Sequence, residues 1–191
     1  MMVGNNPGAN ETWKRIPTLS VGAELGVWKG DSSKKLSTNT RYIYLVDSWS
    51  VEPYAESHFK GDYENYLKKY SKIVGSREPT DFQKYYDKVY ESVVKKYKDD
   101  TKIIIKRMTT NEFFNKLDEK IDWVYIDADH SYEGCLNDLE RSLEILKPGG
   151  IIFGDDYGEK PGVTKAMDEF MKKYPEFKFD NFYKDQIEIK T

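Results

Sequence analysis

Three features of the sequence predict an α/β fold, a single domain built on a doubly wound, mostly parallel sheet with helices on both faces. Short apolar runs alternate with helix-period segments from Leu19 onward, one stretch reads as a complete β-α-β unit, and the chain closes on a hairpin. The 191 residues suit one domain. Charged residues make up 33% and hydrophobic residues only 38%, yet an aromatic share of 15%, with fifteen Tyr, supplies the large side chains a core needs.

Residues 1–18 carry no sustained apolar period in their Gly/Asn-rich start and read as a mobile N-terminal arm before a domain over 19–191. Buried strands are expected at 21–25, 42–46, 102–105, 123–126 and 151–153. Between the last two, Leu136, Leu139, Leu143 and Leu146 form a helical stripe that Lys147-Pro148-Gly149-Gly150 should end, because Pro cannot continue a helix and Gly permits the reversal. Thr109-Thr110-Asn111-Glu112 fits a capping box ahead of Phe113, Phe114 and Leu117. Val163, Ala166, Met167, Phe170 and Met171 trace a further apolar face, and 177–182 with 186–189 read as the closing hairpin. A Tyr-rich insertion at 51–100 is too long for one crossover. It divides near Gly75 and Pro79 into one helix bearing Tyr63, Tyr66, Leu67 and Tyr70 and another bearing Phe82, Tyr85, Tyr86, Val89, Tyr90, Val93 and Tyr97. Such stripes either cover the sheet or form a lid over a ligand.

Composition also excludes classes of partner. Thirty basic against thirty-three acidic residues give a net charge of -3 with mixed signs, so neither nucleic acid nor a membrane surface is expected to bind. A lone Cys forms no internal disulfide, no apolar run approaches the ~18 residues of a membrane span, and the start lacks a signal-peptide core, so a cytoplasmic protein is expected. Cys135 lies on an apolar helical stripe and is expected to be buried rather than nucleophilic. His58, in a polar segment, is expected to be solvated.

The chemistry-bearing residues sit at strand ends. Glu24-Leu25-Gly26-Val27-Trp28-Lys29-Gly30-Asp31-Ser32 follows the first strand, where glycines let a ligand approach the backbone and free N–H groups attract an anionic group. The spacing is not Gly-x-Gly-x-x-Gly, which weakens a nicotinamide or flavin reading. Asp47 ends the second strand, where it can accept both ribose hydroxyls or cap the Ser48–Ser50 turn. Asp127 and Asp129 end the fourth strand and Asp155 and Asp156 the fifth, and a right-handed crossover brings those two ends together. Crowded carboxylates repel unless a proton or cation intervenes, and hard oxygen donors suit Mg²⁺, with Ca²⁺ or Mn²⁺ as substitutes. Capping of helices or pairing with Lys and Arg is the structural alternative.

Together, Glu24-x-Gly26-x-x-x-Gly30-x-Ser32, Asp47 with Trp49, Asp127-Ala128-Asp129-His130-Ser131-Tyr132 and Gly149-Gly150-Ile151-Ile152-Phe153-Gly154-Asp155-Asp156-Tyr157 resemble the class I S-adenosylmethionine (SAM)-dependent methyltransferases, in particular small metal-dependent O-methyltransferases of the macrolide-sugar and catechol types. The resemblance spans roughly residues 21–191 and implies a Rossmann-like seven-stranded sheet of order 3-2-1-4-5-7-6 with an antiparallel seventh strand. It also implies that Glu24, Gly26, Gly30 and Ser32 hold the methionine portion, Asp47 the ribose, and Met108, Thr109 and Thr110 the adenine side, with Asp127 also in the cofactor site. Asp127, Asp155 and Asp156 match the positions that bind the divalent ion, although the last is often Asn. A hydroxyl bound to such an ion loses its proton more readily, with His130 or Asp127 as the base. The expected activity is methyl transfer from SAM to a hydroxyl of a small polar acceptor, such as a sugar. A metal-independent O- or N-methyltransferase and a catalytically inactive SAM-binding module are the alternatives. Relatives carry helices before the first strand that shape the acceptor pocket and the dimer; here the Tyr-rich insertion is the candidate replacement, and a homodimer is the assembly to test.

Overall fold

The computed structural model describes residues 8–51 and 63–191; His58 and the remaining residues lie outside them. In chain order the described elements are α1 (Ala9–Thr12), β1 (Ser20–Leu25), α2 (Ser33–Leu36), β2 (Thr40–Asp47), α3 (Tyr63–Val74), α4 (Pro79–Tyr97), β3 (Ile103–Arg107), α5 (Thr110–Lys116), β4 (Ile121–Ile126), α6 (Tyr132–Ile145), β5 (Leu146–Gly154), α7 (Pro161–Lys173), β6 (Lys178–Tyr183) and β7 (Gln186–Lys190). The sheet has the order β3-β2-β1-β4-β5-β7-β6, the one expected. β1 to β5 are parallel, and β7 runs antiparallel to both β5 and β6.

The apolar runs of β1, β4 and β5 are buried on both faces, as the crossover helices of a parallel sheet require, whereas the run expected to be buried at 102–105 forms the edge strand β3 and is only partly covered. On one face α5, α6 and α7 supply Phe113, Leu139, Met167 and Phe170 to a core shared with Val21, Val124 and Ile152. On the other, α4 lays Val89, Val93 and Tyr97 against Leu45, Trp49, Trp123 and Tyr125. Trp123 is fully buried because it crosses β1 at Gly22, where a Cβ would stand 2.0 Å from its ring, and its indole donates to Ser20 Oγ at 2.9 Å. Burial of each such side chain contributes about 1.5–3 kcal/mol. The Thr109 capping box forms as expected, with the Glu112 N–H donating to Thr109 Oγ1 and Glu112 accepting from the Thr109 N–H.

Three boundaries differ from the sequence reading. The Pro148-Gly149-Gly150 segment belongs to β5, which begins at Leu146; between the Ile121–Leu146 and Trp123–Ile151 pairs the strand bulges, with Gly149 at φ +75°. Leu146 therefore packs as a strand residue, and the buried stripe of α6 is Cys135, Asp138, Leu139, Ser142 and Ile145. The later part of the arm is packed: Thr12 and Ile16 are buried, and the Asn39 amide donates to the Trp13 carbonyl at 3.1 Å. The insertion does two jobs. α4 covers the sheet, whereas α3 packs on α4 through a separate small core of Val51, Tyr66 and Phe82.

Candidate active site

Parallel pairing brings the carboxyl ends of the central strands level. Leu25 is in register with Val46 on one side and Ile126 on the other, Asp47 with Arg107, and Ile126 with Gly154. The residues that follow continue the alignment: Gly26 N–H donates to the Val46 carbonyl at 2.9 Å, Asp127 N–H to Leu25 at 2.8 Å, and Asp155 N–H to Ile126 at 3.1 Å. Gly26, Asp47, Asp127 and Asp155 thus share one mouth of the sheet, the place where open α/β sheets bind ligands.

The turn after β1 is tightly built. Gly26 has φ +87°, and a Cβ there would lie 2.0 Å from the Asp127 carbonyl oxygen, so only glycine lets β1 and β4 end this close together. Gly30, at φ +64°, presents its carbonyl to Lys96 Nζ at 2.6 Å and to the Tyr97 hydroxyl at 2.5 Å, which ties the turn to α4. Asp47 Oδ2 accepts the N–H groups of Val27 and Trp28 at 3.0 and 2.9 Å, and Oδ1 accepts that of Trp49 at 2.7 Å. Burial pushes its pKa up against these three donors. Glu24 is fully buried beneath the turn; Oε1 accepts from Ser32 Oγ, while Oε2 makes no hydrogen bond. Burial raises its pKa to about 8.

Across the mouth, His130 Nε2 lies 3.3 Å from Asp127 Oδ1 and 3.2 Å from Asp156 Oδ2. Burial by itself pulls the imidazole pKa down, but Asp127 and Asp156 outweigh it and the net shift is upward. Burial likewise raises Asp127 and, with the Asp127 charge adding to it, carries Asp155 to about 7. Among the described residues, two sets of groups come close enough to share one ion: Asp127, His130 and Asp156, and Asp155, Asp156 and Asp185. The expected trio of Asp127, Asp155 and Asp156 is therefore split between two sets that meet at Asp156, because Asp155 turns toward β7 while His130 stands between Asp127 and Asp156. Asp129 has a capping role: it accepts from Ser131 N–H at 2.9 Å, and Ser131 Oγ in turn accepts from Gly134 N–H at 3.1 Å to open α6.

A cavity of about 810 Å³ fills the mouth. Gly26, Ser32, Asp47, Met108, Thr109, Thr110, Asp127 and His130 line it. Glu24, Gly30, Asp155 and Asp156 do not: Glu24 lies under the floor, Gly30 faces α4, and the two Asp residues are set behind Asp127 and His130. One end of the cavity is polar, with Asn111, Asn137 and Asp138 from α5 and α6; the other is largely aromatic and apolar, with Trp28, Tyr70, Ile73, Val74, Tyr85 and Tyr86.

Residues 23–157 match the family model of the methyltransferase domain. The chain belongs to the methyltransferase family. An uncharacterised protein of Acanthamoeba polyphaga mimivirus is 31% identical over 88 residues, an alignment that spans 40% of each chain. Among solved structures, a Streptococcus mutans protein assigned as a methyltransferase and crystallised with S-adenosylhomocysteine (SAH) superposes with a TM-score of 0.62 at 12% identity, covering 100% of this chain and 99% of its own. A Staphylococcus aureus protein assigned as a caffeoyl-CoA O-methyltransferase gives 0.63 at 15% identity, covering 98% and 84%. Family and fold agree: the methyltransferase domain is built on the strand order expected of the class I SAM-dependent enzymes. Among the described residues no helix is long and apolar enough to cross a membrane.

The methyltransferase also holds groups that the sequence reading passed over. Asp138 is 2% exposed, accepts from Thr110 Oγ1 at 2.7 Å, and is pushed by burial to a pKa of about 7. The signal was its place on the inner stripe of α6, where a carboxylate interrupts an apolar pattern. Asp185 and Gln186, in and after the hairpin turn, reach Asp155 from a strand distant in sequence, and no local motif marks them. Cys135 is buried, and its thiol is raised to about 12, so it is inert as expected.

Proposed function

We propose that this methyltransferase moves the methyl group of SAM to a hydroxyl of a small polar acceptor, a sugar among the candidates, with help from a divalent cation. The observation that carries the reading is the double placement of Asp127. Its backbone abuts Gly26 on the cavity wall, while its carboxylate belongs to the group with His130 and Asp156. Cofactor turn and acidic cluster therefore share one residue.

Within this reading Gly26, Ser32 and Asp47 bind the donor along the β1 and β2 ends, and Met108, Thr109 and Thr110 flank its base. Glu24 holds Ser32 from below. The acceptor lies toward Tyr70, Tyr85 and Tyr86, whose rings can stack on a sugar and whose hydroxyls can bond to it. The two sets that meet at Asp156, Asp127 with His130 on one side and Asp155 with Asp185 on the other, carry hard donors that would suit a divalent cation, which when bound would polarise a hydroxyl oxygen. His130 or Asp127 takes the proton as the acceptor oxygen displaces the sulfur of the sulfonium. His130 can do so only from its neutral form, which its two carboxylate neighbours disfavour.

A metal-independent transfer is the second reading, favoured by His130 itself, whose imidazolium between Asp127 and Asp156 offsets one of their two charges without an ion. A radiometric assay with methyl-labelled SAM against sugars and catechols tests both. The first reading predicts turnover abolished by chelator and restored by Mg²⁺. Turnover unchanged in chelator selects the second, and saturable SAM binding without turnover on any acceptor points to an inactive binding module.

A further inference from the structure

We infer that Gln186, with Tyr125, positions the acidic cluster for its cation by clamping Asp155 and Asp185; the inference rests on the divalent-ion reading above. Gln186 begins β7 and is 1% exposed. Its Nε2 donates to Asp155 Oδ1 and lies 3.3 Å from Asp185 Oδ1. Its Oε1 accepts from Thr12 Oγ1 at 2.9 Å and lies 3.2 Å from the Tyr125 hydroxyl, which is also 3.0 Å from Asp155 Oδ2.

These contacts fix the amide orientation. Both carboxylates can only accept when ionised, so the NH₂ must face them and the carbonyl accepts from Thr12, while the one Tyr125 proton goes to the nearer Asp155 Oδ2. Each oxygen of Asp155 thereby has a protein donor: Gln186 and the Asp156 N–H (2.8 Å) on Oδ1, and Tyr125 on Oδ2. Packing alone does not explain the residue. Ile187 and Ile189 fill the opposite face of β7, Gln186 shares its face with the buried Glu188, and an apolar side chain would bury at less cost than an amide needing every bond satisfied. The chain before α1 is pressed onto the same group, since a Cβ on Gly8 would lie 2.3 Å from Nε2. Gln186 is outside the cavity lining, so it acts through Asp155 and Asp185 rather than on the reacting atoms. Outer partners of this kind hold ligands in the geometry an ion requires, and their loss typically costs about 10–100-fold in affinity.

The test is calorimetry with Mn²⁺ alone, and separately with SAH, on wild type, Gln186→Met and Tyr125→Phe. Gln186→Met keeps the volume and removes the amide; Tyr125→Phe keeps the ring and removes one hydroxyl, and it decides the question alone if the first variant does not fold. The inference predicts that each folded variant binds Mn²⁺ at least about tenfold more weakly, while SAH affinity stays within about twofold of wild type. Mn²⁺ affinity unchanged, or lost in step with SAH, overturns it. A wild-type protein that binds SAH but not Mn²⁺ overturns the divalent-ion reading and this inference with it.

Discussion

The backbone N–H of Trp28 donates to Asp47 Oδ2 at 2.9 Å, beside that of Val27 at 3.0 Å, so one carboxylate on β2 sets the shape of the turn after β1. Of the two alternatives the sequence left open, Asp47 takes up the capping of the turn at Trp49, and it also lines the cavity. Asp47→Ala should weaken SAH binding by about 1–3 kcal/mol, the range for losing a charge-assisted bond together with the preorganised turn. Calorimetry checks this, and an unaltered dissociation constant removes Asp47 from the cofactor site.

Glu24 predicts an unusual pH dependence. Its folded pKa of about 8 lies above the ordinary 4.5, so the native state holds a proton that the unfolded state releases between those values. Its contribution to stability is complete below the unfolded pKa and is lost as pH rises through the folded one, at a slope of up to about 1 kcal/mol per pH unit. Asp138 and Asp155, each at about 7, act in the same direction. Urea denaturation of the ligand-free protein at pH 5, 6.5 and 8 should show stability falling, and Glu24→Gln should flatten the trend. A wild-type slope retained in the variant would show that Glu24 is ionised in the fold.

Asp138 separates charge from hydrogen bonding. An Asn in its place can still accept from Thr110, whereas an Ala leaves that buried hydroxyl without its acceptor. Asp138→Asn is expected to match or exceed wild-type stability at pH 8, and Asp138→Ala to lose about 1–3 kcal/mol. Equal losses in both variants would mean that Asp138 is ionised and that its charge, not its bond, matters.

His130 can be observed directly, because the chain contains only two histidines. In a His58→Gln background, NMR titration should place the His130 pKa above the ordinary 6.5, and Asp127→Asn should lower it. The stability gained from the charged imidazole is full below the unfolded pKa and is lost as pH climbs through the raised folded value. A His130 that titrates at or below 6.5 in both proteins would exclude the pairing with Asp127.

Local pattern was enough for most of the fold. The strand runs, the Thr109 capping box and the face of α7 depend on neighbouring residues, whereas the sheet order was implied only by the family resemblance that the strand-end motifs carry. The β5 bulge was not legible, since Pro and Gly look the same at a helix stop and in a strand that bends. Packing of Thr12 and Ile16 depends on β7 and on the β1–β2 side of the sheet, contacts that no period in the arm encodes. In the site, glycines and acids at the ends of β1, β2 and β4 were legible because each sits where a strand stops. Gln186 was not, because its partners Asp155, Tyr125 and Thr12 are 31, 61 and 174 residues away in sequence.

The most direct measurement is anomalous diffraction from crystals grown with SAH and soaked in Mn²⁺. With SAH in the cavity beside Gly26 and Asp47, a manganese peak within bonding distance of Asp156 and of either Asp127 or Asp155 is the predicted result. SAH bound there with no peak at the acidic cluster would contradict the cation's role, and SAH bound elsewhere would contradict the account of the site as a whole.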